Sequence, residues 1–147
     1  MPKPVTPLVG CDVFILNEKN EVLLIRRADN GYWALPGGCQ DLGETPADCA
    51  IREAREETGY EVELTELLGV FSSQCYEYKN YPWKDNEFSH VMFAARIIGG
   101  SPTLSSETTE IAWFSEEKIP ALSDGNAPRI QWGFRKKKEP GLPAHFE

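Results

Sequence analysis

Apolar runs bounded by turn formers dominate the first third of the chain. Residues 8–16 (LVGCDVFIL) and 21–27 (EVLLIRR) are almost continuously apolar, and Asn17-Glu18-Lys19-Asn20 separates them. Runs of this length predict two largely buried strands joined as a hairpin. Asp29-Asn30-Gly31 predicts a turn, with a short strand over residues 32–35. Further strands are expected over residues 61–78 (broken near Gly69), 88–98 and 110–114, with a Ser/Thr/Pro loop between the last two. Ser115 can cap the turn Glu116-Glu117-Lys118.

The period changes to a helical one after the break Pro36-Gly37-Gly38. Thr45 is a good N-cap, Pro46 suits the first helical position and Asp48 lies three residues after the cap. The helix should run to Thr58, with Gly59 as its left-handed stop. Ala47, Ala50, Ile51 and Ala54 form an apolar stripe at i, i+3, i+4, i+7. A last helix is expected from Asn126 through Lys137, its basic end suiting the dipole. Residues 1–7 read as extended and 139–147 as a loose tail. At 147 residues, without repeats or a linker, the chain is most simply one domain.

Glu53, Glu56 and Glu57 also follow i, i+3, i+4 spacing, roughly 120° around the helix from the apolar stripe. Like charges at these spacings repel by roughly 0.2–0.5 kcal/mol each, and the negative end of the helix dipole adds to the conflict. A local rule broken in this way often marks a functional site, and a hard divalent cation would relieve it. A solvated face is the competing reading, because Asp48, Arg52 and Glu56 also stand at i, i+4 steps. The adjacent Gly-Gly loop and Glu44 tip the balance toward a site.

The stretch from Gly38 to Tyr60 resembles the Nudix box, G-x5-E-x7-R-E-U-x-E-E-x-G-U, where U is a bulky aliphatic residue. Gly38, Glu44, Arg52, Glu53, Glu56, Glu57 and Gly59 fit at both long spacings. Ala54 and Tyr60 stand at the U positions and depart from the packing side of the pattern. RRADNGYWALPGG before the box and EIAWFSEEKIP after it look similar to the family too. The resemblance implies an α/β (α+β) fold, the Nudix-type α/β/α sandwich with a mixed β-sheet. It implies a metal-dependent hydrolase that cuts a pyrophosphate bond in a nucleoside diphosphate linked to another moiety, by attack of water on phosphorus. Glu53, Glu56, Glu57 and the carbonyl of Gly37 would hold Mg2+ or Mn2+. Arg52 would orient the loop and carboxylates, and Glu44 would support the loop or reach the metal through water. Glu53 or a later carboxylate would serve as general base, with Glu110 preferred to Glu107. A Nudix-fold sensor that binds a nucleotide derivative without cutting it is the alternative. The box does not choose among nucleoside triphosphates, ADP-ribose, nucleotide sugars, dinucleoside polyphosphates and capped RNA ends.

Arg26 and Arg27 close the second strand, and either could bind a substrate phosphate by bidentate contact, with Arg27 preferred. Tyr76, Tyr78, Tyr81 and Trp83 could line a pocket for a flat group, or brace a hairpin, which is the reading preferred for any one of them. Trp33 and His90 read as structural.

A net charge of −8 argues against duplex nucleic acid as a partner, though not against a small phosphorylated ligand held through a cation. A small-molecule nucleoside diphosphate derivative is the expected partner, and a homodimer remains open. Cys11, Cys39, Cys49 and Cys75 lack C-x-x-C spacing and read as reduced thiols. The sequence carries no membrane-spanning run or signal-like start, so a cytoplasmic protein is expected.

Overall fold

The computed structural model describes residues 6–82 and 86–147; Trp83 therefore lies outside the described residues. The elements in chain order are β1 (Leu8–Phe14), β2 (Val22–Arg27), β3 (Trp33–Ala34), β4 (Gly37–Cys39), α1 (Pro46–Thr58), β5 (Tyr60–Ser72), β6 (Phe88–Gly100), β7 (Thr108–Phe114) and α2 (Asn126–Lys138). Single 3-10 turns occupy Ser73–Cys75 and Glu116–Lys118.

The strands form two sheets rather than one. The first has the order β4-β1-β6-β5 and is mixed, because β1 runs parallel to β6 while the other pairs are antiparallel. The second is antiparallel, in the order β3-β2-β7. The hairpin expected of β1 and β2 is realised only at its turn. A bridge joins Leu16 to Val22, and the Asn17 amide donates to the Glu21 carbonyl at 3.0 Å. The two strands then part into separate sheets. The cause lies in their apolar runs, which leave neither face fit for water. Cys11, Val13, Ile15 and Leu23 pack in one core with Cys49, Ala50 and Ala54 of α1. Phe14, Val22 and Leu24 face the other way, into a second core with Ile130 and Phe134 of α2. Successive strand residues point to opposite faces, so each strand feeds both cores. The result is a helix–sheet–helix sandwich, as expected.

Helix α1 begins as its sequence dictates. The Thr45 side chain accepts from the Asp48 amide at 3.1 Å, and the Asp48 carboxylate accepts from the Thr45 amide at 3.3 Å. Gly59 ends the helix at φ 81°. The buried face differs from the alanine stripe. Cys49, Ala50, Glu53, Ala54, Glu57 and Thr58 are buried, whereas Ala47 and Ile51 are only half-buried. The helix is thus rolled so that Glu53 and Glu57 turn inward while Glu56 stays outside.

Two further differences bear on the site. The Pro-Gly-Gly segment is a short strand, β4, with Gly38 beside Cys11 and Gly37 beside Asp12. A Cβ on Gly38 would lie 2.5 Å from the Glu53 carboxyl carbon, so glycine is what admits that side chain. The C-terminal tail is tied down instead of loose. The His145 amide donates to Leu68 O at 3.0 Å, and Val70 donates back to His145 O at 2.9 Å. The His145 ring stacks on Phe71 at 4.6 Å, and Glu147 accepts from the Tyr76 hydroxyl and from the Ser72 amide. Gly69 permits this approach, since a Cβ there would meet His145 at 2.8 Å.

Candidate active site

Glu53 and Glu57 lie one turn apart on the buried face of α1, under the β4 segment. The Gly37 amide donates to Glu57 Oε2 at 3.3 Å. Glu107, in the loop before β7, completes the group: one carboxylate oxygen from each of Glu53, Glu57 and Glu107 lies within 4.8 Å of the others. Burial pushes the Glu57 carboxyl well above the usual carboxylate range, and the charge on Glu53 adds to the effect. Burial raises Glu53 as well, against the opposing pull of Arg52. Two buried acids and a third beside them, offset only in part by Arg52, fit a hard divalent cation.

Arg52 ties the surrounding residues together. Its Nε and Nη2 donate to the two oxygens of Glu44 at 3.0 and 2.7 Å, a bidentate pair. Its Nη1 reaches Glu53 Oε1 at 2.9 Å and Glu56 Oε2 at 3.1 Å, and its Nη2 also reaches the Cys39 carbonyl at 3.2 Å. Glu44 accepts in addition from the Asp41 amide at 2.8 Å. The Arg52 bond holds the Glu44 carboxyl down at about 2, so Glu44 stays ionised. The glutamate and arginine of the box thus act on the loop, and through Arg52 on Glu53.

Some of the expected residues gather at the carboxylates and others do not. Glu53, Glu57 and Gly37 come together, with Arg52 and Glu44 adjoining. Glu56 is 55% exposed at its side chain, stands outside the cluster and is held by Arg52. Glu110 stands apart from the cluster. It lies opposite Arg26 in the β2–β7 pairing, and the two side chains form an exposed ion pair at 2.8 Å. Alternation along the strand sends Glu110 outward, while Glu107 precedes the strand and reaches the cluster. Arg26 is therefore occupied by Glu110 and the Gly31 carbonyl. Arg27 instead pairs with Asp29 at 2.8 Å, lies 4.8 Å over the Tyr81 ring and faces a cleft.

That cleft adjoins the carboxylates at Gly37 and Gly38. Tyr78, Tyr81 and Phe88 wall it, with Tyr81 edge-on to Phe88 at 5.7 Å. Its floor carries Asp12, His90 and Arg129. Arg129 Nε lies 2.9 Å from Asp12 Oδ2, with both side chains buried, and His90 Nδ1 lies 3.5 Å from the same oxygen. Burial and the nearby Arg129 push the His90 imidazole below its usual range, so it is neutral at neutral pH. Asp12 and Arg129 are not among the residues the sequence patterns single out, and His90 reads from them as structural. The available signal was a lone acid inside the apolar run of β1 and a lone base beside Ile130 on α2.

The sequence model of the NUDIX domain matches residues 6–133. The chain belongs to the NUDIX family. Nudix relatives include a MutT-like protein of Streptomyces ambofaciens, 39% identical over 105 residues, which cover 71% of this chain and 62% of that one. A putative 8-oxo-dGTP diphosphatase of Bacillus subtilis is 33% identical over 82% of this chain and 74% of its own length. An ADP-ribose pyrophosphatase of Methanocaldococcus jannaschii is 32% identical over 80% and 67%. The Nudix fold is matched by a crystal structure of a UDP-X diphosphatase, with TM-score 0.86 and 21% identity over 99% of this chain and 70% of that one. An ADP-ribose pyrophosphatase from Streptococcus suis gives TM-score 0.81 and 25% identity over 97% and 100%. Among the described residues no helix is long and apolar enough to cross a membrane.

Proposed function

We propose that this Nudix protein is a hydrolase, dependent on Mg2+ or Mn2+, that cuts a phosphoric anhydride bond in a nucleoside diphosphate derivative. The observation that carries this reading is the convergence of Glu53, Glu57 and Glu107 beside an aromatic-walled cleft. The relatives named for action on 8-oxo-dGTP and ADP-ribose support the substrate class.

Glu53, Glu57 and the Gly37 carbonyl would hold the cation, with Glu56 joining if its Arg52 contact is given up. When bound, the cation offsets charge on the diphosphate oxygens and lowers the pKa of water, which favours attack on phosphorus. The chain's own groups do the rest. Arg52 fixes Glu53, holds the Cys39 carbonyl at the end of β4 directly and, through Glu44, holds the Asp41 amide beyond it. Glu107, the one exposed carboxylate of the cluster, is placed to accept the proton of an attacking water. Arg27 lies on the cleft wall, where its guanidinium can meet a phosphate oxygen.

The test is turnover of ADP-ribose, nucleoside triphosphates and nucleotide sugars in oxygen-18 water with Mg2+ or Mn2+, read by mass spectrometry. One label on a phosphate product is expected. Label on a sugar carbon, or no turnover of any compound with either metal, overturns the reading and in the second case favours a non-catalytic sensor.

A further inference from the structure

Three successive amides end on a single carboxylate oxygen beside the cleft. Asp124 Oδ2 accepts from the Lys79 amide at 2.6 Å, from the Asn80 amide, and from the Tyr81 amide at 2.8 Å. N–H groups converging in this way make an anion-binding nest, and the anion here is a side chain of the protein itself. Asn80 closes the arrangement from the other side. Its carboxamide oxygen accepts from the Asp124 amide at 2.9 Å, and its Nδ2 donates to the Leu122 carbonyl at 3.2 Å. Residues 76–82 belong to no helix or strand, so these contacts satisfy amides that a ladder would satisfy elsewhere.

The two sides of this junction differ. Residues 121–126 rest on the short strand β3 and its continuation. The Trp33 amide donates to Ala121 O at 3.1 Å, the Ser123 amide to Trp33 O at 2.8 Å, and the Leu35 amide to Asn126 Oδ1 at 2.9 Å. Asp124 therefore stands on a fixed platform, and the Tyr81 segment is what it holds. Asn30 ties in the turn after β2, because its Nδ2 donates to Asn80 O at 3.3 Å and to Ser123 Oγ at 3.0 Å.

The loops joined here deliver the groups that orient Arg27. Asp29, beside Asn30, accepts from Arg27 Nε at 2.8 Å and from Nη2 at 2.5 Å, which takes one edge of the guanidinium. The Tyr81 ring, with its centroid 4.8 Å from the guanidinium carbon, covers one face. A planar fork held by an edge and a face points in one direction. We infer that Asp124 is a positioning residue: through the junction with Asn80 and Asn30 it keeps Tyr81 and Asp29 against Arg27, and so sets how Arg27 presents its guanidinium to a phosphate. This rests on the reading of Arg27 as a phosphate ligand of the hydrolase.

The experiment is steady-state kinetics with Mg2+ on ADP-ribose, and on GTP if ADP-ribose is not turned over. It compares the full-length wild type with Asp124→Ala, Asp124→Asn, Arg27→Ala and the double variant Asp124→Ala/Arg27→Ala. Asp124→Ala should raise KM about tenfold, as expected for loss of one good contact to a charged group, with kcat kept within about threefold. Asp124→Asn keeps an accepting oxygen without the charge and should recover part of the loss. In the Arg27→Ala background, Asp124→Ala should raise KM by less than about twofold, whereas a merely structural Asp124 would act independently of Arg27 and give the full rise. An unchanged KM, or the full rise without Arg27, overturns the inference and leaves the hydrolase reading standing. If Asp124→Ala does not fold, Asp124→Asn enters the same cycle. If the wild type turns over neither compound, the Arg27 side-chain proton resonances decide. The Tyr81 ring current should shift them upfield in the wild type. Loss of that shift in Asp124→Asn supports the positioning role, and an unchanged shift overturns it.

Discussion

Glu57→Gln should stabilise the metal-free protein and abolish most of its response to metal. In the wild type, Glu53 and Glu57 are both buried, with oxygens no more than 4.8 Å apart. At the 4.8 Å limit of that cluster and an effective dielectric of about 20, the two carboxylates repel by about 3.5 kcal/mol at a pH high enough to ionise both. Arg52, 2.9 Å from Glu53, offsets part of this, leaving about 1–2 kcal/mol as the expected gain on removing one charge. For a domain of this size that is an increase in Tm of roughly 2–8 °C. Metal reverses the order. A cation that binds only the folded state adds about 2.7 kcal/mol at a hundredfold excess over its Kd, and the variant should forgo most of that. The assay is a thermal melt of both proteins, in chelator and across a Mn2+ titration. Equal metal shifts would show that Glu57 is not a ligand, and a metal-free variant less stable than the wild type would show that no buried charge conflict exists.

Other outcomes follow from the same geometry. Glu107→Gln should lower kcat by about a hundredfold or more, as loss of a general base does, whereas Glu110→Gln, which breaks only an exposed pair with Arg26, should stay within about twofold; steady-state kinetics on one substrate separates them. The raised folded-state carboxyls of Glu53 and Glu57 bind protons that the unfolded chain releases near pH 4.5. Their contribution to metal-free stability is therefore complete below that pH and is lost as pH rises through the folded values, so denaturant melts in chelator should weaken upward from there. For the same reason, calorimetry in buffers of different ionisation enthalpy should show protons released when Mn2+ binds. Thr45→Ala removes one half of the capping box and should cost about 1 kcal/mol, read as a shift in denaturant midpoint without a change in slope.

The parts of this molecule that local chemistry dictates were legible in the sequence. The cap at Thr45 and the stop at Gly59 depend on short spacings, and the structure carries both. The strands also stand close to where their apolar runs lie. What the sequence left open depends on contacts between distant residues. The parting of β1 and β2 into two sheets is decided by helices on both sides. The roll of α1 that buries Glu53 and Glu57 but not Glu56 is decided by β4, whose Gly38 makes room for a carboxylate. Glu107 and Glu110 differ by three residues in a segment that reads alike, and only strand pairing separates an outward ion pair from a site carboxylate. Asp12 and Arg129 stand 117 positions apart, and no local pattern joins them.

Glu53, Glu57 and the Gly37 carbonyl are proposed to hold a divalent cation in the working protein. Anomalous diffraction from crystals soaked in Mn2+, at a concentration that supports turnover, tests it most directly. An anomalous peak bonded to carboxylate oxygens of Glu53 and Glu57 and to the Gly37 carbonyl is expected. Manganese bound elsewhere, with that position empty in an active crystal, would contradict it.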